Sequence, residues 1–262
     1  MKKSIAVIGQ GFVGGSLATV FSERKFRVFA YDIAGVLATG AEWPTNQSGF
    51  PFPPKSLKEF VESCEKNDSF AGVYFVCLPT PMMPSGEADV SIVASVLNAL
   101  DDIPGRSDRI AVVKSTVPPG TTAGWNEQLN NVSVIFSPEF LTEANALNDM
   151  RNQDRIILGG PRPHINRVRD VFRRAFPKVR IIKTGPTTAE MVKYVTNVHL
   201  ATKVALANEF YQICGALDDK GLNIDYDKVI EYASFDQRLG KTHWQVPGPM
   251  PADDTGDPAF GF

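Results

Sequence analysis

Cysteine and histidine are scarce in this chain, three of each in 262 residues. Cys64, Cys77 and Cys214 are odd in number and scattered, which argues against a disulfide framework and for reduced thiols in a cytoplasmic protein. His164, His199 and His243 lie far apart and share no metal-ligand spacing with the cysteines, so no metal site is expected. A dominant charge is lacking too. The 27 basic and 29 acidic residues leave a net charge of −2, which offers no pull toward nucleic acid or a membrane surface. No apolar run approaches the roughly 18 residues of a membrane span, and Met1-Lys2-Lys3-Ser4 enters the first apolar segment without a signal-peptide core. What is present, 43% hydrophobic and 21% charged residues, suits a soluble globular enzyme with a sizeable core. The length allows one large domain, or one domain and part of another.

Short apolar runs recur along the chain with helical stretches between them. They are Ser4 to Ile8, Arg27 to Tyr31, Gly72 to Cys77, Arg109 to Val113, Val132 to Phe136, Ile156 to Leu158 and Val179 to Ile182. Strands alternating with helices predict an α/β architecture, a doubly wound and mostly parallel sheet covered on both faces. The stretch from Ala41 to Pro54, rich in Pro, Gly, Asn and Ser, reads as a surface loop. From Thr187 to Cys214 there is neither Gly nor Pro, and apolar residues recur at helical spacing. This segment predicts a long helix, about 40 Å at 1.5 Å per residue, bridging into a second, helical unit. Asp225 to Ser234 reads as a helix of that unit, and the Pro- and Gly-rich stretch from Val246 onward as an irregular tail to Phe262. The expected boundary falls at 186/187.

The first apolar run leads into Gly9-Gln10-Gly11-Phe12-Val13-Gly14, then a helix-like segment, then a second run ending in Asp32. A lone G-x-G-x-x-G is weak evidence. Here it stands between strand and helix, with an acid 21 residues after Gly11, as in the Rossmann dinucleotide fold. Gly9 permits the tight turn, Gly11 lets backbone approach a pyrophosphate, and Gly14 allows close helix packing; the helix N-terminus offers unpaired N–H groups to the phosphates. A carboxylate at Asp32 accepts hydrogen bonds from ribose hydroxyls and repels a 2′-phosphate, and Ile33-Ala34-Gly35 holds no Arg to receive one. NAD is therefore expected as cofactor rather than NADP. The competing reading makes Asp32 a turn or helix cap.

Ligands in doubly wound sheets sit at the carboxyl ends of strands. The third run ends in Leu78-Pro79-Thr80-Pro81, the fourth in Lys114-Ser115-Thr116-Val117-Pro118, the fifth in Ser137-Pro138-Glu139-Phe140-Leu141-Thr142-Glu143. The prolines rigidify these turns, so hydroxyls and carboxylates can be held in place. Taken singly, Thr116 is equally a cap, and Glu143 a first-turn acid favoured by the helix dipole. Glu139, between Pro138 and an apolar pair, is harder to explain as surface. On the long helix, Lys193 and Asn197 are four apart and share a face. Both donate hydrogen bonds to an oxygen gaining negative charge, and desolvation would lower the Lys pKa into acid/base range. The alternative is a surface Lys beside a helix-packing Asn.

Taken together, and with Asp154-Arg155, Lys193-Tyr194-Val195-Thr196-Asn197, Asn208-Glu209 and Asp236-Gln237-Arg238-Leu239-Gly240, these segments resemble the UDP-glucose/GDP-mannose dehydrogenase family over nearly all 262 residues. The resemblance implies an NAD-binding domain over 1–186, and over 187–262 a connecting helix and the start of a helical dimerisation domain. It implies a four-electron oxidation, in which two NAD in turn accept hydride and a nucleotide sugar's primary alcohol becomes a carboxylate, UDP-glucose giving UDP-glucuronate. Gly9 to Gly14, Asp32, Leu78 to Pro81, Ser115, Thr116 and Glu143 would contact the cofactor. Glu139 would be acid/base and activate the water that hydrolyses a thioester. Lys193 and Asn197 would hold the oxyanion, Thr116 would position a water or the nicotinamide side, and Glu139, Phe140, Leu141, Thr142 and Glu143 would line the sugar pocket. Arg238 matches a residue that reaches the neighbouring subunit's substrate, which implies a homodimer.

One departure stands against these matches. The family's nucleophile is a Cys shortly after Gly-Phe-Gly-Gly; here Ala259-Phe260-Gly261-Phe262 approaches that motif, and none of the three cysteines takes its place. The expectation is a truncated chain, without the nucleophile and the family's C-terminal nucleotide-binding domain. Two alternatives stand beside it. One is a β-hydroxyacid dehydrogenase relative, which pairs the same fold with a Lys-x-x-x-Asn helix and needs no Cys; the other is a non-catalytic NAD-binding or dimerising module.

Overall fold

Strand alternation builds two apolar layers from one sheet. In β1 (Ser4–Ile8), Ile5 and Val7 enter one layer while Ala6 and Ile8 enter the other. Val73 and Phe75 oppose Tyr74 and Val76 in β4 (Phe70–Val76), and Ile110 and Val112 oppose Ala111 and Val113 in β5 (Arg109–Val113). Both faces are covered, so the strands read as continuous apolar runs rather than alternating ones.

The computed structural model describes residues 3–45, 51–247, 249–252 and 258–260. The remaining elements of its sheet are β2 (Arg27–Tyr31), β3 (Ala41–Glu42), β6 (Val132–Phe136), β7 (Arg155–Gly159) and β8 (Arg180–Thr184). The order is β3-β2-β1-β4-β5-β6-β7-β8. The first six strands run parallel in the 3-2-1-4-5-6 order of a dinucleotide-binding sheet. β7 then pairs antiparallel with β6, and β8 follows it in parallel. The helices are α1 (Phe12–Glu23), α2 (Leu57–Glu65), α3 (Ser91–Asp102), α4 (Thr121–Gln128), α5 (Ala146–Asn152), α6 (His164–Ala175), α7 (Pro186–Asp218) and α8 (Tyr226–Ala233). On one face, Phe21 of α1 meets Phe26, Phe75, Phe172 and Phe176 with ring centroids 5.2–5.8 Å apart, mostly edge to face.

Two expectations need correction. Ala41 and Glu42 are not loop: they add a two-residue edge strand to β2, secured by an ion pair between Arg27 and Glu42. So short a strand carries no periodicity, and the surrounding Pro and Gly conceal it. The Pro-rich tail is not wholly irregular either, because Pro249–Ala252 pairs antiparallel with Pro258–Phe260.

The chain divides into two compact units, Met1–Lys193 and Tyr194–Phe262, with α7 running from the first into the second. At 33 residues α7 is about 50 Å long. Cys214, expected at its end, lies buried one turn earlier. In the first unit the start of α7 presses on β7: a Cβ at Gly159 would lie 2.6 Å from the Cβ of Ala189. In the second unit, Asp225 caps α8 through the amide of Lys228, and the Tyr226 hydroxyl donates to the carbonyl oxygens of Ala207 and Trp244. Among the described residues no helix is long and apolar enough to cross a membrane.

The edge of the sheet where the strands begin is closed by a buried guanidinium. Arg109, fully buried, bonds Glu65 through Nε (2.7 Å) and Nη2 (2.9 Å) and donates from Nη1 to the carbonyls of Leu100 and Ile103 at the end of α3. Tyr74 donates its hydroxyl to the same carboxylate. Removing one partner of a buried pair strands the other charge. Glu65→Leu is therefore expected to lower stability by about 3–5 kcal/mol, read from urea unfolding; a loss below ~1 kcal/mol would show that the pair is not what closes this edge.

Candidate active site

At the opposite edge, where the parallel strands end, the glycine loop sits on backbone. Gly9 has φ +89°, and a Cβ there would lie 2.3 Å from the carbonyl oxygen of Cys77; one at Gly14 would lie 2.0 Å from that of Gly9. Neither position admits a side chain. Gly11 differs, since a Cβ would meet nothing within 4 Å, and it opens α1, which has no side-chain cap. Open space before uncapped N–H groups is what a pyrophosphate requires. Gly11 and Phe12 are exposed, while Gln10 is turned inward, its amide bonding Gly9 O and receiving Ala38 N–H. Asp32 is a turn cap and is also tied to the glycine loop. Its Oδ1 accepts from Ala34 N as a turn cap does, and its Oδ2 accepts from Gln10 N at 2.8 Å, which fixes the carboxylate beside the glycine loop. These residues fit NAD.

The next two strand ends are stitched together. Ser115 Oγ donates to Leu78 O (2.6 Å) and accepts from Leu78 N (3.0 Å), while the Thr80 hydroxyl donates to Thr116 O (2.9 Å). The hydroxyls of Ser115 and Thr80 thus hold loop to loop. Pro79 and Pro81 stay exposed, and Thr116 is half-buried.

Beyond them lies a buried charge cluster. Glu139 is only 9% exposed. Its Oε1 accepts from Phe140 N (2.6 Å); its Oε2 lies 3.2 Å from Lys114 Nζ, an ion pair outside hydrogen-bond geometry that leaves the oxygen without a donor. Lys193 reaches across from α7 and donates its ammonium to Glu139 O. Burial pushes the Lys193 pKa down; Glu139 opposes this and Lys114 adds to it. Phe140 lies under Lys193 and Arg155, with cation-to-centroid distances of 5.5 and 4.5 Å. Leu141 packs on the apolar core, and Thr142 is exposed with amide and hydroxyl both bonded to Asp149. Glu143 begins a short 3₁₀ turn, Glu143–Asn145, but its side chain lies outside the described residues.

The first unit thus brings together the glycine loop, Asp32, the 78–81 and 115–116 turns, Glu139 to Leu141 and Lys193. Asn197 and Arg238 belong to the second unit. Asn197 is exposed on α7 rather than at the end of a buried stripe, and Arg238 is exposed and paired with Asp236. Two residues had been given no role of their own. Lys114, 6% exposed, stands at the centre of the charge cluster; a Lys directly after the apolar run Ile110 to Val113 was its only signal. Glu190, fully buried, accepts from Gly120 N (2.6 Å) and Thr122 N (2.8 Å), so α7 caps α4 and anchors the loop that carries Thr116. Nothing local in sequence marks a partner 70 residues away. Neither Cys64 nor Cys77 is poised as a thiolate: burial raises the Cys64 thiol well above its usual range and pushes Cys77 up to about 12, where Lys114 and Glu139 act in opposite directions.

Comparison with known proteins agrees with this fold. The model of the UDP-glucose/GDP-mannose dehydrogenase family, NAD binding domain, matches residues 3–176, and that of the family's central domain matches residues 187–250. A UDP-glucose 6-dehydrogenase of Haloferax volcanii is 29% identical over 90% of this chain and 59% of its own length; one of Bacillus subtilis is 28% identical over 91% and 54%. The solved structure of a UDP-glucose dehydrogenase from Pyrobaculum islandicum matches with a TM-score of 0.74 at 29% identity, covering 93% of this chain and 59% of the other. The chain spans little more than half the length of these relatives.

Burial disfavours the charged form of Lys193, so its reactive neutral amine forms at lower pH than that of an exposed lysine. Trace acetylation across pH, read by peptide mass spectrometry, is expected to give Lys193 a midpoint below that of a free lysine side chain in a short peptide measured alongside. A midpoint equal to or above that of the peptide would refute the desolvated setting of Lys193.

Proposed function

Because this chain belongs to the UDP-glucose/GDP-mannose dehydrogenase family, we propose that it carries the hydride-transfer half of an NAD-dependent oxidation of a nucleotide sugar's primary alcohol, with UDP-glucose as substrate. The observation that carries this reading is an unbroken series of contacts along one sheet edge. It leads from the glycine loop at Cys77 through Leu78, Ser115 and Lys114 to Glu139 and Lys193. Cofactor-binding and proton-handling groups therefore share one rigid support.

Bound NAD would supply the hydride acceptor. The chain's own residues do the rest. The amides at the start of α1 receive the pyrophosphate, Asp32 accepts the ribose hydroxyls, and the turns at 78–81 and 115–116 flank the cofactor. Lys193 in its neutral form takes the proton of the sugar hydroxyl while one of its N–H groups stays on Glu139 O, and then presents an ammonium to oxygen as negative charge develops. Thr116 positions a water. Glu139 keeps one carboxylate oxygen without a hydrogen-bond donor, and that oxygen is the acceptor through which it activates water. Phe140 to Glu143 line the sugar side. Full oxidation to the acid would also need a thiol for a covalent intermediate, and burial leaves neither Cys64 nor Cys77 poised as a thiolate for that role.

The second unit supports a homodimer, in which Arg238 reaches the neighbouring substrate. Val198, Leu206, Phe210 and Ile213 on α7 and Val229 and Tyr232 on α8 are exposed apolar side chains in the part matched by the central-domain model. Sedimentation velocity is expected to give twice the chain mass, and a monomer at all concentrations would overturn this assembly.

For the cofactor, calorimetry is expected to show NAD binding, with NADP weaker and Asp32→Asn weakening NAD about tenfold, the order expected for a lost charge-assisted hydrogen bond. The chain with UDP-glucose and NAD is expected to show no sustained NADH formation. Steady turnover would contradict the missing-thiol reading, and failure to bind NAD would contradict the function itself.

A further inference from the structure

We propose that Lys114 is a positioning residue of this site, whose buried ammonium locks the Glu139 carboxylate in the orientation the reaction uses. The inference rests on the acid/base role proposed for Glu139. Lys114 directly follows β5, and its amide still donates to Val76 O (2.9 Å), so its backbone is held in the sheet. From this support its ammonium makes three oxygen contacts: Ser137 Oγ at 3.3 Å, Pro138 O at 3.4 Å and Glu139 Oε2 at 3.2 Å. All three belong to the turn that bears Glu139. The ring of Phe172, its centroid 5.9 Å away, covers it from the core side.

An ammonium this deeply buried is costly unless paired, and a filler at this position need not be charged. What the charge adds is orientation. Phe140 N–H holds Glu139 Oε1, Lys114 faces Oε2, and Lys193 holds the main-chain carbonyl, so the carboxyl group is constrained at both oxygens and at its base. Without Lys114, one hydrogen bond from an adjacent residue would be left to orient a side chain with three rotatable bonds. Lys114 also faces Lys193 across Glu139 and assists the lowering of its pKa.

Carbodiimide coupling of Glu139, quantified by peptide mass spectrometry on the 262-residue chain, tests the assignment. Lys114→Met keeps the stem and removes the charge; it is expected to speed Glu139 modification about tenfold or more, the scale of a lost neighbouring charge. Lys114→Arg is expected to restore protection. If Lys114 only fills space, Lys114→Met labels Glu139 at the wild-type rate, and the proposal is overturned. Should Lys114→Met unfold the protein, Lys114→Met/Glu139→Gln is expected to recover part of the lost melting temperature, because it removes both charges; additive losses would equally reject the pairing. NAD titration of the same variants keeps the two readings apart. Unchanged affinity with altered labelling supports the positioning role, and loss of NAD binding in the wild-type chain counts against the function alone.

Discussion

The structure depends on backbone meeting backbone where the glycine loop crosses the end of β4. Gly9 lies so close to Cys77 O, and Gly14 to Gly9 O, that one methyl group at either place would force strand and helix apart. Gly9 N also donates to Tyr31 O, and Cys77 N to Ile8 O, so three strand ends are tied at one point. From that point the start of α1 and the carboxylate of Asp32 take up their places. Gly11 remains free of this crowding, and the same short loop therefore offers a tight seat on the sheet side and open space on the other. Close approach inside and room outside are one constraint seen from two sides.

The second organising feature is a charge kept out of water. Glu139, Lys114 and Lys193 come from a strand-end turn, a strand end and a long helix, and none of the three is more than partly exposed. Such a cluster is poor evidence of stability, because desolvation offsets much of the attraction. Its use lies in making proton affinities sensitive to neighbours, as the lowered pKa of Lys193 illustrates. Glu190 serves the same end indirectly. By capping α4 from the second turn of α7, it sets Lys193, three residues on, against the loops of the sheet.

Much of the fold was legible because its signals are local. Every strand of more than two residues in the eight-stranded sheet had been read from an apolar run, and α7 from an unbroken helical period. The two-residue β3 was missed because two residues carry no pattern. Of the candidate site, Gly9 to Asp32 and Glu139 stood out, the first by spacing and the second by an acid placed where packing was expected. Lys114 was passed over because a Lys after a strand resembles any solvent-facing end; only its three oxygen neighbours distinguish it. Thr80 and Ser115, read as cofactor contacts, spend their hydroxyls on neighbouring loops, a pairing across 36 and 37 residues that no local pattern reports.

By itself the sequence determined that a dinucleotide fold is present, which cofactor suits it, and which strand ends share one sheet edge. These follow from glycines, periodicity and one acid, whose effects act within a few residues. Tertiary structure decided the pairing of charges: which lysine faces Glu139, which carboxylate caps α4, and whether a hydroxyl is free or used. Electrostatic and hydrogen-bond partners are chosen by distance in space, and residues dozens of positions apart meet only once the sheet has brought their strand ends together.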